Sequence, residues 1–162
     1  MQPIEFAGLT VGGGSLLLIA GPCVIESESH AVDLAVAIRD IARRAGVPYV
    51  FKASYDKANR TSVKSFRGMD AHAGCKLLAE IGQELGVPVT TDVHSPEEAK
   101  IAAEFIDVLQ IPAFLCRQTD LIQAAAETGR VVNVKKGQFL APWDVKNIAD
   151  KLSAFSYRQL NS

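Results

Sequence analysis

Apolar residues in this chain gather in short unbroken runs that alternate with longer amphipathic stretches. Residues 16–20, 49–51, 89–93, 107–111 and 131–134 each read as a strand buried on both faces. Between and after them, helical spacing predicts helices over about 29–45, 70–85, 96–105, 119–127 and 142–153. In the first of these, Leu34, Ile38, Ile41, Ala42 and Ala45 would share one face. Gly46-Val47-Pro48 closes the first helix, and the same triplet returns forty residues on as Gly86-Val87-Pro88, a faint repeat of the βα unit. Ser95-Pro96-Glu97-Glu98 has the form of a capping box with proline at the first helical position. Ahead of the repeats, residues 4–6 and 9–11 can pair as a small hairpin.

Five consecutive βα units imply a parallel sheet covered by helices, hence the α/β class. A doubly wound sheet would be complete at 162 residues, whereas a (β/α)₈ TIM barrel of typically ~250 residues would be only partly present. The strand ends favour the barrel. Cys23, Lys52, Asp92, Gln110 and Lys135 each sit at or just past the C-terminal end of a different strand. A barrel brings such positions to one rim; an open sheet spreads them along an edge. No GxGxxG follows the first strand and no GxxxxGK[ST] occurs, which lowers a nucleotide-binding reading.

Composition narrows the class further. With 48% hydrophobic and 22% charged residues the chain reads as one ordinary globular domain, 1–162. A net charge of −1 offers no global attraction to nucleic acid or to an anionic membrane, so any positive site must be local. Three cysteines at wide spacing, with no CxxC pair, argue against a disulfide framework and for a reducing compartment. The Gly-rich stretch 10–21 is too short to span a bilayer, and no basic region precedes an apolar core. The expected location is cytoplasmic.

The chemistry concentrates after the second strand, in Phe51-Lys52-Ala53-Ser54-Tyr55-Asp56-Lys57-Ala58-Asn59-Arg60-Thr61-Ser62. Lys52, Lys57 and Arg60, with Ser54, Asn59 and Thr61 among them, form a loop suited to an anion, since each charged hydrogen bond contributes ~1.5–3 kcal/mol. The plainer alternative is a solvated loop paired with Asp56. A second basic strand end, Lys135-Lys136, favours the anion site. Asp92 and His94 point the same way if their strand continues, and Asp-x-His can ligate a metal, orient a cation or simply pair with a lysine. His30 and His72 read as helix-surface residues and Cys75 as core. By spacing alone Cys23 reads as a buried small hydrophobe, because a zinc- or iron-type site wants three or four ligands. Gln110, Arg117 and Gln118 flank Ile111-Pro112-Ala113-Phe114, where Phe114 beside Arg117 could line a pocket or a subunit contact.

Several motifs resemble the 3-deoxy-D-manno-octulosonate-8-phosphate synthase family. They are Gly21-Pro22-Cys23-Val24-Ile25-Glu26-Ser27, the 51–62 run, Ser65-Phe66-Arg67-Gly68, Thr91-Asp92-Val93-His94, the 110–120 run and Asn133-Val134-Lys135-Lys136-Gly137-Gln138-Phe139. The resemblance covers about residues 16–153, and Lys57-Ala58-Asn59-Arg60 separates it from the related 3-deoxy-7-phosphoheptulonate synthase that uses erythrose 4-phosphate. It implies a (β/α)₈ barrel, usually tetrameric, that condenses phosphoenolpyruvate with arabinose 5-phosphate and releases phosphate on the way to lipopolysaccharide. In that light Lys52, Lys57 and Lys135 look like the phosphoenolpyruvate cations. Asn59, Arg60 and Thr61 look like the sugar-phosphate side, and Ser54 and Asp92 like the residues orienting both. The segment from Phe114 to Arg117 resembles one that reaches toward a neighbouring subunit. The resemblance also reverses the reading of Cys23, which stands where the metal-dependent branch places a ligand for a divalent zinc, iron or manganese ion.

That branch draws its other metal ligands, and an arginine for phosphoenolpyruvate, from later strands. After Leu152 the family pattern would continue to a Gly-rich turn and a sixth strand, where this chain has 154–162 instead. The expectation is therefore a truncated barrel with a tail foreign to the family, inactive by itself. A non-catalytic fragment that binds phosphorylated ligands is the alternative from another class.

Overall fold

The computed structural model describes residues 3–159. Strands β1 (Ile4–Phe6) and β2 (Leu9–Val11) pair antiparallel as the expected hairpin. Five parallel strands follow: β3 (Leu18–Ala20), β4 (Tyr49–Lys52), β5 (Val89–Asp92), β6 (Val108–Ile111) and β7 (Val131–Val134). They lie side by side in chain order, β3-β4-β5-β6-β7. The connecting helices are α1 (Glu28–Ala45), α2 (Ala71–Leu85), α3 (Pro96–Ala103) and α4 (Thr119–Glu127), and α5 (Val145–Gln159) follows β7. Each helix packs against the next in sequence.

That order decides between the two architectures. A doubly wound sheet reverses its strand order at a switch point, with helices on both faces. Here the order never reverses and the helices form one continuous layer, as in a partial TIM barrel. The central strands are buried throughout, with Val50, Phe51, Thr90, Leu109 and Ile111 inaccessible to solvent. The outer strands β3 and β7 keep partial exposure.

The two Gly-Val-Pro repeats do the same physical work. Gly46 and Gly86 cap α1 and α2 in the left-handed conformation, at φ 65° and 64°, where a Cβ would be strained. Ser27, Asp70 and Ser95 accept a backbone N–H at the opposite helix ends.

Two expectations need correction. The buried stripe of α1 is Ala31, Ala35 and Ala42, while Ile41 is 54% exposed. Small residues let the helix approach the sheet closely, while Val32, Val36 and the predicted Ile38 pack half-buried along its flanks. The last helix does not stop near 153 but runs to Gln159, because no glycine or proline interrupts it. The remainder of the predicted tail, 160–162, lies outside the described residues. A short 3₁₀ turn, Ala113–Leu115, follows β6 where the sequence suggested only a flank.

Gly74 sits inside α2 because Tyr55 leaves no room for a side chain there. A Cβ at Gly74 would lie 2.3 Å from Tyr55 Cβ. Gly74→Ala, which in an open helix would stabilise by about 1 kcal/mol, is expected here to destabilise by ~1–3 kcal/mol, read as a lower urea midpoint at unchanged m-value.

Candidate active site

The C-terminal ends of β3 to β7 surround a cavity of about 540 Å³, a size suited to a small-molecule ligand. At its first edge Gly21-Pro22-Cys23 leaves β3 and passes tightly over the end of β4. A Cβ at Gly21 would fall 2.0 Å from the Lys52 carbonyl oxygen, so only glycine allows this crossing. The crossing puts Cys23 at the cavity wall, exposed rather than buried as spacing alone suggests.

Lys52, the last residue of β4, turns inward. Its Nζ lies 2.8 Å from Asp92 Oδ2 at the end of β5 and donates to Ser54 Oγ at 2.7 Å. Ser54 donates in turn to Asp92 Oδ2 at 2.5 Å. On the other side Gln110, in β6, donates from Nε2 to Asp92 Oδ1 at 2.6 Å and accepts from Asn133 Nδ2, in β7, at 2.9 Å. One polar chain thus ties four adjacent strands together at the cavity floor. Burial alone would push the Asp92 carboxyl up. The Lys52 ammonium and the hydrogen bonds from Lys52, Ser54 and Gln110 outweigh it and hold the group below the usual carboxylate range.

The basic loop is pinned at its neck. Lys57 N donates to the Arg67 carbonyl at 2.6 Å and Met69 N to the Tyr55 carbonyl at 2.8 Å, with a bridge between Asp56 and Gly68. Asp56 takes Arg67 Nε at 2.9 Å. The carboxylate that could have neutralised the loop lysines is therefore engaged elsewhere. Lys57 and Lys135 both line the cavity and have no ion pair among the described residues. Lys136 points away, donating to the Gly137 and Leu140 carbonyls.

The candidate residues separate into two groups. Cys23, Lys52, Ser54, Lys57, Asn59, Asp92, Phe114 and Lys135 line this cavity together. Gln110 stands behind Asp92, buried, and orients it instead of lining the wall. Arg60 and Thr61 lie farther along the loop and are not part of the lining. The buried Nε of Arg60 has no hydrogen-bond partner among the described residues. Arg117 lines a separate hollow with Phe139, Asp144 and Asp150. Sequence reasoning passed over Asn133, Tyr55, Glu98 and Gln138. A polar residue interrupting the apolar run Val131–Val134 was the available sign for Asn133.

The fit to a metal is incomplete. Among the described residues no group of three or more His, Cys, Asp or Glu side chains could hold an ion. Cys23 stands as a single thiol at the cavity, so the described residues do not by themselves supply the three or four ligands of a zinc-type centre.

A family model described as the DAHP synthetase I family matches residues 2–162. The chain belongs to that family. Among curated proteins it is 57% identical over 152 residues to the 2-dehydro-3-deoxyphosphooctonate aldolase of Koribacter versatilis, covering 94% of this chain and 55% of that one. It is 56% identical over 154 residues to the protein of the same name in a Geobacter strain, covering 94% and 56%. A Cyanothece relative, again so named, is 57% identical over 145 residues, covering 89% and 53%. The relatives' shared name agrees with the resemblance read from the motifs. The chain spans about half the length of the curated relatives it matches. No helix among the described residues is long and apolar enough to cross a membrane.

Asp92→Asn is expected to lower unfolding stability at pH 7 by ~3 kcal/mol, because Lys52 loses its partner in a largely enclosed site. The sign with pH follows from the depressed carboxyl. Its contribution is fully present above the unfolded pKa of about 3.9 and lost as pH falls through the lower folded value. Urea titrations between neutral and acid pH should show that slope in the wild type and a flatter curve in the variant.

Proposed function

We propose that a protein of the relatives' full length carrying this chain condenses phosphoenolpyruvate with D-arabinose 5-phosphate, giving 3-deoxy-D-manno-octulosonate 8-phosphate and inorganic phosphate. One observation carries the reading. Three lysines from two strand ends face one cavity whose carboxylates among the described residues, Asp92 and Asp56, are already engaged by Lys52 and Arg67. A surplus of cations in a small, partly enclosed space suits a compact polyanion.

In this reading Lys52, Lys57 and Lys135 hold the carboxylate and phosphate of phosphoenolpyruvate. Asp92 and Ser54 keep Lys52 aimed at the ligand, and Gln110 keeps Asp92 in place. Asn59, Arg60 and Thr61 receive the sugar phosphate on the outer loop, where the unpartnered Arg60 Nε supports the assignment. C3 of phosphoenolpyruvate attacks the aldehyde of the open-chain sugar. Water adds at C2, and the hemiketal phosphate loses phosphate by C–O cleavage. Holding two mutually repelling phosphates in register is the main contribution of these side chains, and such positioning can lower a barrier by ~7–11 kcal/mol. The divalent metal implied by the resemblance would need ligands beyond Cys23, so the proposed steps rest on this chain's own side chains. Phe114, exposed at the cavity edge, and Arg117, exposed beyond it, suit a contact with a neighbouring subunit of a tetramer. The substrates are small metabolites, so the proposed location is the cytoplasm.

The test is a graft. Residues 3–153 replace the matched segment of the Koribacter relative, and product is assayed with arabinose 5-phosphate and, separately, erythrose 4-phosphate. Turnover with the five-carbon sugar is expected, and Lys135→Ala or Lys57→Ala should raise KM for phosphoenolpyruvate roughly ten- to hundredfold. A folded graft that prefers erythrose 4-phosphate would assign the chain to the heptulonate reaction. One that binds phosphoenolpyruvate but turns over neither sugar would sink the assignment.

A further inference from the structure

His94, just beyond β5, lines the same cavity but has no role in the reading above. Its surroundings are more constrained than those of a bystander. A single oxygen, Glu98 Oε2, accepts from His94 backbone N at 2.8 Å and from Tyr55 Oη at 2.6 Å, and lies 3.0 Å from His94 Nδ1. The Tyr55 ring meets the His94 ring edge-on, with centroids 5.9 Å apart and an interplanar angle of 82°.

This departs from an ordinary capping box. Ser95 caps α3 by accepting the Glu98 N–H. The reciprocal carboxylate would return to the cap's own N–H. Glu98 instead reaches one residue farther back, to His94, and takes the imidazole as well. Tyr55 is fully buried beside it, and burial followed by the Glu98 carboxylate raises its phenol, so it remains a donor. Gly74 leaves the space that Tyr55 occupies, so α2 also helps to fix the arrangement.

We propose that Glu98, braced by Tyr55, is a positioning residue that keeps His94 protonated at Nδ1 with its Nε2 open to the cavity. A carboxylate can only accept, so Nδ1 must donate to it, and the neutral ring then carries its lone pair on Nε2. A free imidazole favours the opposite tautomer. The pair therefore turns His94 into a hydrogen-bond acceptor for a hydroxyl or a water in the cavity. The lysines there only donate, so His94 adds what they lack. That this serves the condensation rests on the function proposed above; the tautomer itself does not.

Nitrogen-15 spectra of His94 in the 162-residue chain, without substrate, read the tautomer directly. The Nδ1–H form should dominate in the wild type. In Glu98→Ala the ratio of Nδ1–H to Nε2–H should fall by roughly tenfold or more, and in Tyr55→Phe by less. Glu98→Gln, which keeps a neutral acceptor, should lie between wild type and Glu98→Ala, and reads the same equilibrium should the alanine variant fail to fold. A wild type dominated by Nε2–H, or a ratio unmoved by Glu98→Ala and Glu98→Gln alike, would overturn the proposal. In the graft, Glu98→Ala should lower kcat while KM for phosphoenolpyruvate stays within about twofold. An unchanged kcat would overturn the catalytic part. A shifted tautomer in a graft that makes no product would leave the positioning intact and remove the substrate assignment.

Discussion

The Lys52–Asp92 ion pair is the contact on which the rest of this site depends. It joins the last residues of two adjacent parallel strands at 2.8 Å, in a position largely closed to water. Such a pair does not stabilise much by its Coulomb term, because desolvation of both ions opposes it. Its value lies in what must surround it. Lys52 first, and then the hydrogen bonds from Ser54 and Gln110, offset the burial of Asp92, and Gln110 is in turn oriented by the Asn133 amide that donates to it. Satisfying one half-buried carboxylate therefore fixes side chains on or just beyond β4, β5, β6 and β7 at once. The same demand leaves Lys52 partly committed while Lys57 and Lys135 have no ion pair among the described residues, so the cavity carries a surplus of positive charge.

A second carboxylate does related work nearby. Asp56 binds Arg67 and closes the neck of the basic loop, so the loop's cations are not neutralised from within. Glu98 gathers His94 and Tyr55. In each case an acid that might have cancelled a positive charge is turned to positioning. This pattern follows from strand geometry. Parallel strands in register bring residues of matching position side by side, as Asp92 stands opposite Gln110 and Gln110 opposite Asn133.

Much of this was legible in the residue pattern. Short apolar runs bounded by Gly-Val-Pro and by serine or aspartate caps can form little except buried strands and their crossover helices. The hairpin, α4 and β7 fall where the pattern put them, and the other elements begin or end within a few residues. The rim residues were also legible, since a polar side chain directly after an apolar strand in an α/β fold faces the ligand end. Cys23 was not. Its exposure depends on how close the chain passes to the Lys52 carbonyl, a distance between segments far apart in sequence. The stripe of α1 was only partly right: Ala42 is buried and Ile38 packs against the core, but Ile41 is exposed, because close approach to the sheet favours the alanines at 31, 35 and 42.

Local pattern by itself determined the parallel α/β class, the order of elements and the strand ends that carry cations. Those depend on hydrophobic period and backbone preference, which act over a few residues. Only the tertiary structure decided which carboxylate meets which cation. Arg67 rather than Lys57 holds Asp56, Asp92 rather than solvent holds Lys52, and Glu98 leaves its helix cap for His94. Ion pairing within a site is a competition among partners decided by distance and burial, and neither quantity exists until the strands are side by side.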